Sequence, residues 1–323
     1  MFDYDRQGRF IAMADGAEIL VQDGPSEGPL WRMVGDHPLV GVAIHQDAIW
    51  TVDEAGHLIG RDASTGAQKA ALEVGDGCRA LAASDQGLLA IARAEEVVVI
   101  QGGAILRRLP VDDPTALAWS PTGMLGVGTA AGDIKAFKDD TTPSSEATLP
   151  AGVTALTWGG GSEGWLAGAG PTLFRLNAEG IARVTGGPGD ILSISASPSG
   201  HRVALQIGER IVLVLVMPSR DTLTTVQYMD RTVTGVRIGP GNWLGIGMDQ
   251  GDGNKIDMVT GATHRTDTHP GRAHHSWMLK VATDPSVEAS LPAPTDAPAK
   301  KGNPAVAIAF FVALAAVLWF LFR

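Results

Sequence analysis

Residues 115–137 read TALAWSPTGMLGVGTAAGDIKAF. An apolar run ends at a Ser-Pro-x-Gly corner, a run of small residues follows, and Ala-Gly-Asp leads into a second apolar run. The same order returns in CRALAASDQGLLAIARAEEVVVI from Cys78, ILSISASPSGHRVALQIGERIVLVLV from Ile191 and VTGVRIGPGNWLGIGMDQGDGNKIDMV from Val233. Aligned on the middle apolar residue of the opening run, the units fall at Val42, Leu81, Leu117, Leu156, Ile194, Val236 and Leu279, with spacings of 39, 36, 39, 38, 42 and 43. A period near forty is shared by propeller blades and by helical repeats. Local chemistry separates the two. Short runs of Val, Ile, Leu and Ala are broken by Gly and Pro every eight to twelve residues, and helical periodicity is absent before the extreme C-terminus. That is a pattern of strands.

The corners agree. In Ser120-Pro121-Thr122-Gly123, Ser197-Pro198-Ser199-Gly200 and Gly239-Pro240-Gly241, proline presets φ at the second turn position and the following glycine accepts positive φ. AGHLIGRDASTG (55–66), AGDIKAFKDD (131–140) and DGNKIDMVTG (252–261) each place a glycine corner ahead of an apolar strand. Every repeat is therefore expected to form a four-stranded antiparallel blade.

From about residue 9 to residue 283 these units resemble the WD-repeat family, with WSPTG…GDIKAF standing where that family has an apolar-SPDG…GTIRLWD pattern. Phe137-Lys138, Arg61-Asp62 and Val214-Leu215 replace the Trp-Asp pair, and no blade shows the Gly-His dipeptide with its Asp, Ser and Trp partners. The resemblance implies an all-β, degenerate, quinoprotein-like propeller. Its blades would be held by strand pairing and inter-blade packing, since the family's buried tetrad does not carry over.

Seven blades follow from the ends. RFIAMADGAEILVQDGPSEGPLWRMV (9–34) supplies three strands without an opening one, and HSWMLKVATD (275–284) is an opening strand with nothing after it. The expectation is a seven-bladed β-propeller over 1–283, closed by N- and C-terminal strands that share one blade. Closure in this way removes sheet edges.

The chain has 25 basic and 35 acidic residues, a net charge of −10, and no basic stripe interleaved with aromatics. Phosphate binding needs clustered Lys and Arg, so nucleic acid is excluded as the expected partner. The single Cys78 cannot form an intramolecular disulfide and reads as a small buried side chain.

After Thr283 the composition changes. DPSVEASLPAPTDAPAKKGN (284–303) is rich in Pro, Ala and polar residues and reads as a tether of about 25 to 60 Å. Residues 304–322 carry no charge over 19 positions, which as a helix spans roughly 28 Å, close to the hydrocarbon thickness of a bilayer. Pro304 suits the first helical turn, and Trp319, Phe322 and Arg323 fall where the far interface would be. One C-terminal transmembrane helix is expected. MFDYDRQGRFIAMADG lacks a basic region followed by an apolar core, and Lys300 and Lys301 outnumber Arg323 across the helix. Both place the propeller in the cytoplasm, on a single-pass C-terminal anchor that resembles tail-anchored proteins. Ala305, Ala309 and Ala313 share one helix face and suggest a weak homodimer.

Catalytic patterns are missing: no Ser-x-x-Lys, Gly-x-Ser-x-Gly or His-Glu-x-x-His occurs. The Gly-rich WGGGSEGWLAGAG (158–170) lacks a Gly-Lys-Ser/Thr ending and reads as a hairpin corner. Asp112-Asp113, Asp139-Asp140 and Glu95-Glu96 are neighbours that point apart on a strand or are solvated on a turn. THRTDTHPGRAHH (263–275) concentrates His264, His269, His274 and His275, the candidate metal ligands, although five residues put His264 and His269 on opposite faces of a regular strand. No cofactor is expected. The reading is a membrane-tethered interaction scaffold presenting a cytosolic propeller to protein partners. The alternative is a propeller enzyme, or an exchange factor acting at the membrane surface, which it resembles in architecture alone.

Overall fold

The computed structural model describes residues 2–4, 9–23, 29–45, 47–160, 163–229, 231–239, 243–249, 253–258, 263–266 and 278–283. Seven antiparallel sheets follow one another along the chain, over 2–34, 39–73, 80–110, 114–148, 153–186, 191–228 and 233–266, and we number them as blades 1 to 7. Each contains four strands joined in order, and the sixth carries a fifth strand at its outer edge. The innermost strand of each blade packs against that of the next, and the first strand, Phe2–Tyr4, packs against both blade 2 and blade 7. The ring is thereby closed: the fold is an all-β, seven-bladed propeller.

Packing explains why the strands read as unbroken apolar runs. In blade 3, EVVVIQ (Glu96–Gln101) sends Val97 and Val99 into a cluster shared with blade 4, while Val98 and Ile100 enter one shared with blade 2. Alternate residues therefore face different neighbours, and both faces are apolar. The small-residue run of blade 4 has a matching cause. A Cβ on Gly126 would stand 2.8 Å from the Trp165 ring of blade 5, so only glycine admits that indole.

The Ser-x-x-Gly corners form, whereas Pro240 and Gly241 of the expected corner Gly239-Pro240-Gly241 lie outside the described residues. Ser84, Ser120 and Ser197 each accept the N–H of the glycine three residues on, and those glycines, Gly87, Gly123 and Gly200, have φ of +80°, +80° and +75°. The serine hydroxyls also accept the N–H groups of Leu88, Met124 and Arg202 at 2.9, 3.0 and 3.1 Å. Residues 158–170 do hold a hairpin corner, from strand Val153–Trp158 to strand Trp165–Ala169.

The closing blade differs from the expectation. Phe2–Tyr4 supplies blade 1 with its own opening strand, pairing Asp3 with Ala12, so the first blade is complete without the C-terminal segment. Met278–Thr283 instead adds a fifth strand to the outer edge of blade 6, pairing Val281 with Val226 and Thr283 with Thr224. Leu279 therefore does not occupy the position of Val42 or Leu81. A three-residue strand shows no periodicity, whereas the alternation in WMLKVAT suits an outer strand as well as an inner one.

The linker 284–303 and the apolar run 304–322, with Pro304, Ala305, Ala309, Ala313, Trp319, Phe322 and Arg323, lie outside the described residues. Among the described residues no helix is long and apolar enough to cross a membrane.

Candidate interaction site

The ends of all seven inner strands surround an axial cavity of ≈ 430 Å³. Asp3 comes from blade 1, His45 from blade 2, Asp85 from the corner of blade 3, Trp119 from blade 4, Trp158 from blade 5, Ser195 and Ser197 from blade 6, and Arg237 from blade 7. Inter-blade hydrogen bonds hold this wall in place. Ser195 Oγ accepts the Ile238 N–H at 3.0 Å, and Trp119 Nε1 donates to the Ala82 carbonyl at 3.3 Å. Trp158 meets Trp165 edge to face, with centroids 4.9 Å apart.

Beyond the cavity wall, at the start of the inner strands, bulges aim hydroxyls across the interfaces. The pairing slips around Thr115 and Thr154, and the extra residue turns each Oγ1 toward the next blade. Thr115 Oγ1 donates to the Val153 carbonyl, and Thr154 Oγ1 to that of Ile191, both at 2.5 Å. Gln206 does the same one blade on, from Nε2 to the Val233 carbonyl at 2.6 Å.

The cavity carries two carboxylates, Asp3 and Asp85, and one guanidinium, Arg237. Arg237 Nε donates to Asp3 Oδ1 at 2.8 Å. Burial pushes the pKa of His45 below its usual value, against the opposing charge of Asp85, so the imidazole is neutral at pH 7. The Ser84 and Ser197 hydroxyls accept backbone N–H groups within their own corners. Indoles, a neutral imidazole and partly satisfied polar groups around a preformed cavity suit recognition.

The sequence candidates are dispersed. His264 lies on the outer strand of blade 7, its backbone paired with Lys255, while His269, His274 and His275 lie outside the described residues. Among the described residues no group of three or more His, Cys, Asp or Glu is placed to hold a metal ion. Cys78 is buried, with its Sγ 3.3 Å from the Gly75 carbonyl, and burial pushes its pKa up to about 11. Asp112, Asp113, Asp139 and Asp140 are exposed, and Glu96 is ion-paired with Arg93 and Arg108.

Two polar pairs escaped the sequence reading. Asp3 and Arg237 are 234 positions apart, and no local signal joins them. Asp53 and His57 had one, a spacing of four across a glycine corner: His57 Nδ1 lies 2.8 Å from Asp53 Oδ2, and the His57 N–H donates to Oδ1 at 2.8 Å.

Fold and cavity together define a seven-bladed β-propeller with a polar axial cavity. Among solved structures the chain is similar to the β-propeller domain of Cps50 (Swd1) from Myceliophteria thermophila, with a TM-score of 0.65 and 12% identity over 77% of this chain and 93% of that one. At that identity the likeness establishes the fold alone. No family model matches the sequence, and no curated protein is similar to it.

Proposed function

We propose that this chain is a membrane-tethered interaction scaffold: a propeller over 1–283, a linker over 284–303, and a transmembrane helix over 304–322 that holds the ring at the cytoplasmic face of a bilayer. The axial cavity is the observation that carries the interaction half of this reading. Seven separate strands contribute to one polar wall whose groups are fixed by bonds between blades, so a partner meets a preorganised surface. A β-propeller with such a surface suits a protein-binding module. The membrane half rests on the charge-free run 304–322 behind a Pro- and Ala-rich tether. Anchoring would raise the local concentration of any partner at the same membrane. A weak contact through Ala305, Ala309 and Ala313 would add a second copy.

Alkaline carbonate extraction of membranes tests the anchor. The full chain should stay in the pellet, and a chain lacking 304–323 should appear folded in the soluble fraction. Proximity labelling and pull-down from gently solubilised membranes test the scaffold. Recovery of the same protein neighbours by both, lost on Trp158→Ala, supports it. A full chain released by carbonate would overturn the anchor, and recovery of no protein partner would overturn the scaffold.

A further inference from the structure

The interface between blades 1 and 2 lacks a plug that the next three interfaces have. Where the chain leaves the outer strand of blades 2, 3 and 4, Val74, Val111 and Leu149 donate their N–H groups to Gly56, Glu95 and Gly132, in the corner between the second and third strands of the same blade. All three side chains are buried in the cluster shared with the following blade. Blade 1 makes the same bond from Gly35, to Ala17 at 2.8 Å, and blade 5 makes it from Gly187, to Pro171 at 2.7 Å. In the fifth interface Ile207 fills the gap, 3.0 Å from where a Gly187 Cβ would stand. The position of Ile207 is taken in blade 2 by Asp53, and a Cβ on Gly35 would meet nothing closer than 3.5 Å. A cavity of ≈ 460 Å³ remains.

Its walls include Ile19, Met33 and Ile59, and its rim carries Asp36 and Glu73. Asp53 is already matched by His57, whose ring stacks on His37 at 5.4 Å. The Glu73 carboxylate is 83% exposed and lies 3.6 Å from His57 Nε2. Arg61, the only lysine or arginine of the described lining, is drawn toward the outer corner, with Nη1 donating to the Gly66 carbonyl at 3.2 Å. The cleft is thus apolar within and acidic at the rim.

We propose that this cleft receives a lysine side chain from a protein partner, its aliphatic stem along Met33 and Ile59 and its ammonium between Asp36 and Glu73. Long cationic side chains bury the stem and keep the head in water. An ammonium suits carboxylates carried by separate elements, whereas a guanidinium is matched to one bidentate partner. The proposal rests on the scaffold reading only in taking the partner to be a protein.

The full chain, with ¹³C-labelled methionine methyl groups, is titrated in detergent with Nα-acetyl-lysine methylamide, n-butylamine and butyrate. The Met33 methyl signal should shift saturably with the lysine amide and with butylamine but not with butyrate. Gly35→Leu, which restores the plug, should abolish the shift. Asp36→Asn with Glu73→Gln, which leaves the walls intact, should weaken the affinity at least fivefold. Absence of a saturable shift, an equal response to butyrate, or an unchanged affinity in either variant overturns the site. Binding of butylamine without the lysine amide overturns the protein-borne lysine; the scaffold reading is judged separately, by the pull-down.

Discussion

Arg237 Nε donates to Asp3 Oδ1 at 2.8 Å, and Asp3 Oδ2 accepts the N–H of Ile44 at 2.8 Å. One carboxylate on a three-residue strand thus ties blade 7 and blade 2 to blade 1. Replacing Asp3 with Ala leaves a backbone donor and a guanidinium without their acceptor, at an expected cost of about 1–3 kcal/mol. Arg237→Ala should cost less, roughly 0–1 kcal/mol, because the arginine side chain is 40% exposed. Urea unfolding with an unchanged m-value measures both. Equal losses would show that the carboxylate does not serve two blades.

The two termini should differ in importance. A chain beginning at residue 9 loses Phe2–Tyr4 and with it the contact that closes the ring. Its cooperative thermal transition should disappear. A chain ending at residue 277 keeps the ring but bares the outer strand of blade 6, Asp221–Tyr228. It should melt cooperatively at a lower temperature and associate through the open edge. The reverse order in calorimetry would restore the shared-blade closure.

Glycine at residue 56 should tolerate no side chain. Its φ is +90°, and a Cβ there would lie 2.1 Å from the Gly75 carbonyl oxygen. Strain and overlap together give Gly56→Ala an expected cost of roughly 2–5 kcal/mol. Gly102, with φ of +59° and open space around it, isolates the conformational part. Its Ala variant should lose only about 1 kcal/mol. Matching denaturation midpoints for the two would contradict the close approach of Gly56 and Gly75.

The Asp53–His57 pair sets a pH window. Hydrogen bonding to Asp53 and its negative charge raise the His57 pKa above 6.5. For Asp53 burial acts upward, but the hydrogen bonds and charge of His57 outweigh it and hold the carboxyl below 3.8. The histidine contribution is therefore complete below pH 6.5 and lost as pH rises through its raised value. The aspartate contribution is complete above pH 3.8 and lost as pH falls through its depressed value. Urea midpoints of the parent and of His57→Gln should differ most between about pH 4 and 6.5 and converge toward pH 8. A difference that does not change with pH would rule out the pair as the cause.

The repeat, the strand class and the Ser-x-x-Gly corners were all legible in the amino-acid sequence, because each depends on residues a few positions apart. Val97 to Ile100 must be apolar on both faces in any blade packed on both sides, and Gly123 must accept positive φ whatever surrounds it. The positions Val42 to Val236 mark six inner strands for the same reason. The end of the ring obeys a different rule. Whether Phe2–Tyr4 or Met278–Thr283 opens blade 1 depends on which strand can reach Ala12 while meeting blades 2 and 7, and nothing within a window of ten residues reports that. The axial wall brings together side chains from Asp3 to Ile238, and the cleft beside Gly35 joins residues of two blades that no local pattern links. Local periodicity decides what each blade is, because strand geometry is local; tertiary packing alone decides which polar groups meet, because ring closure is not.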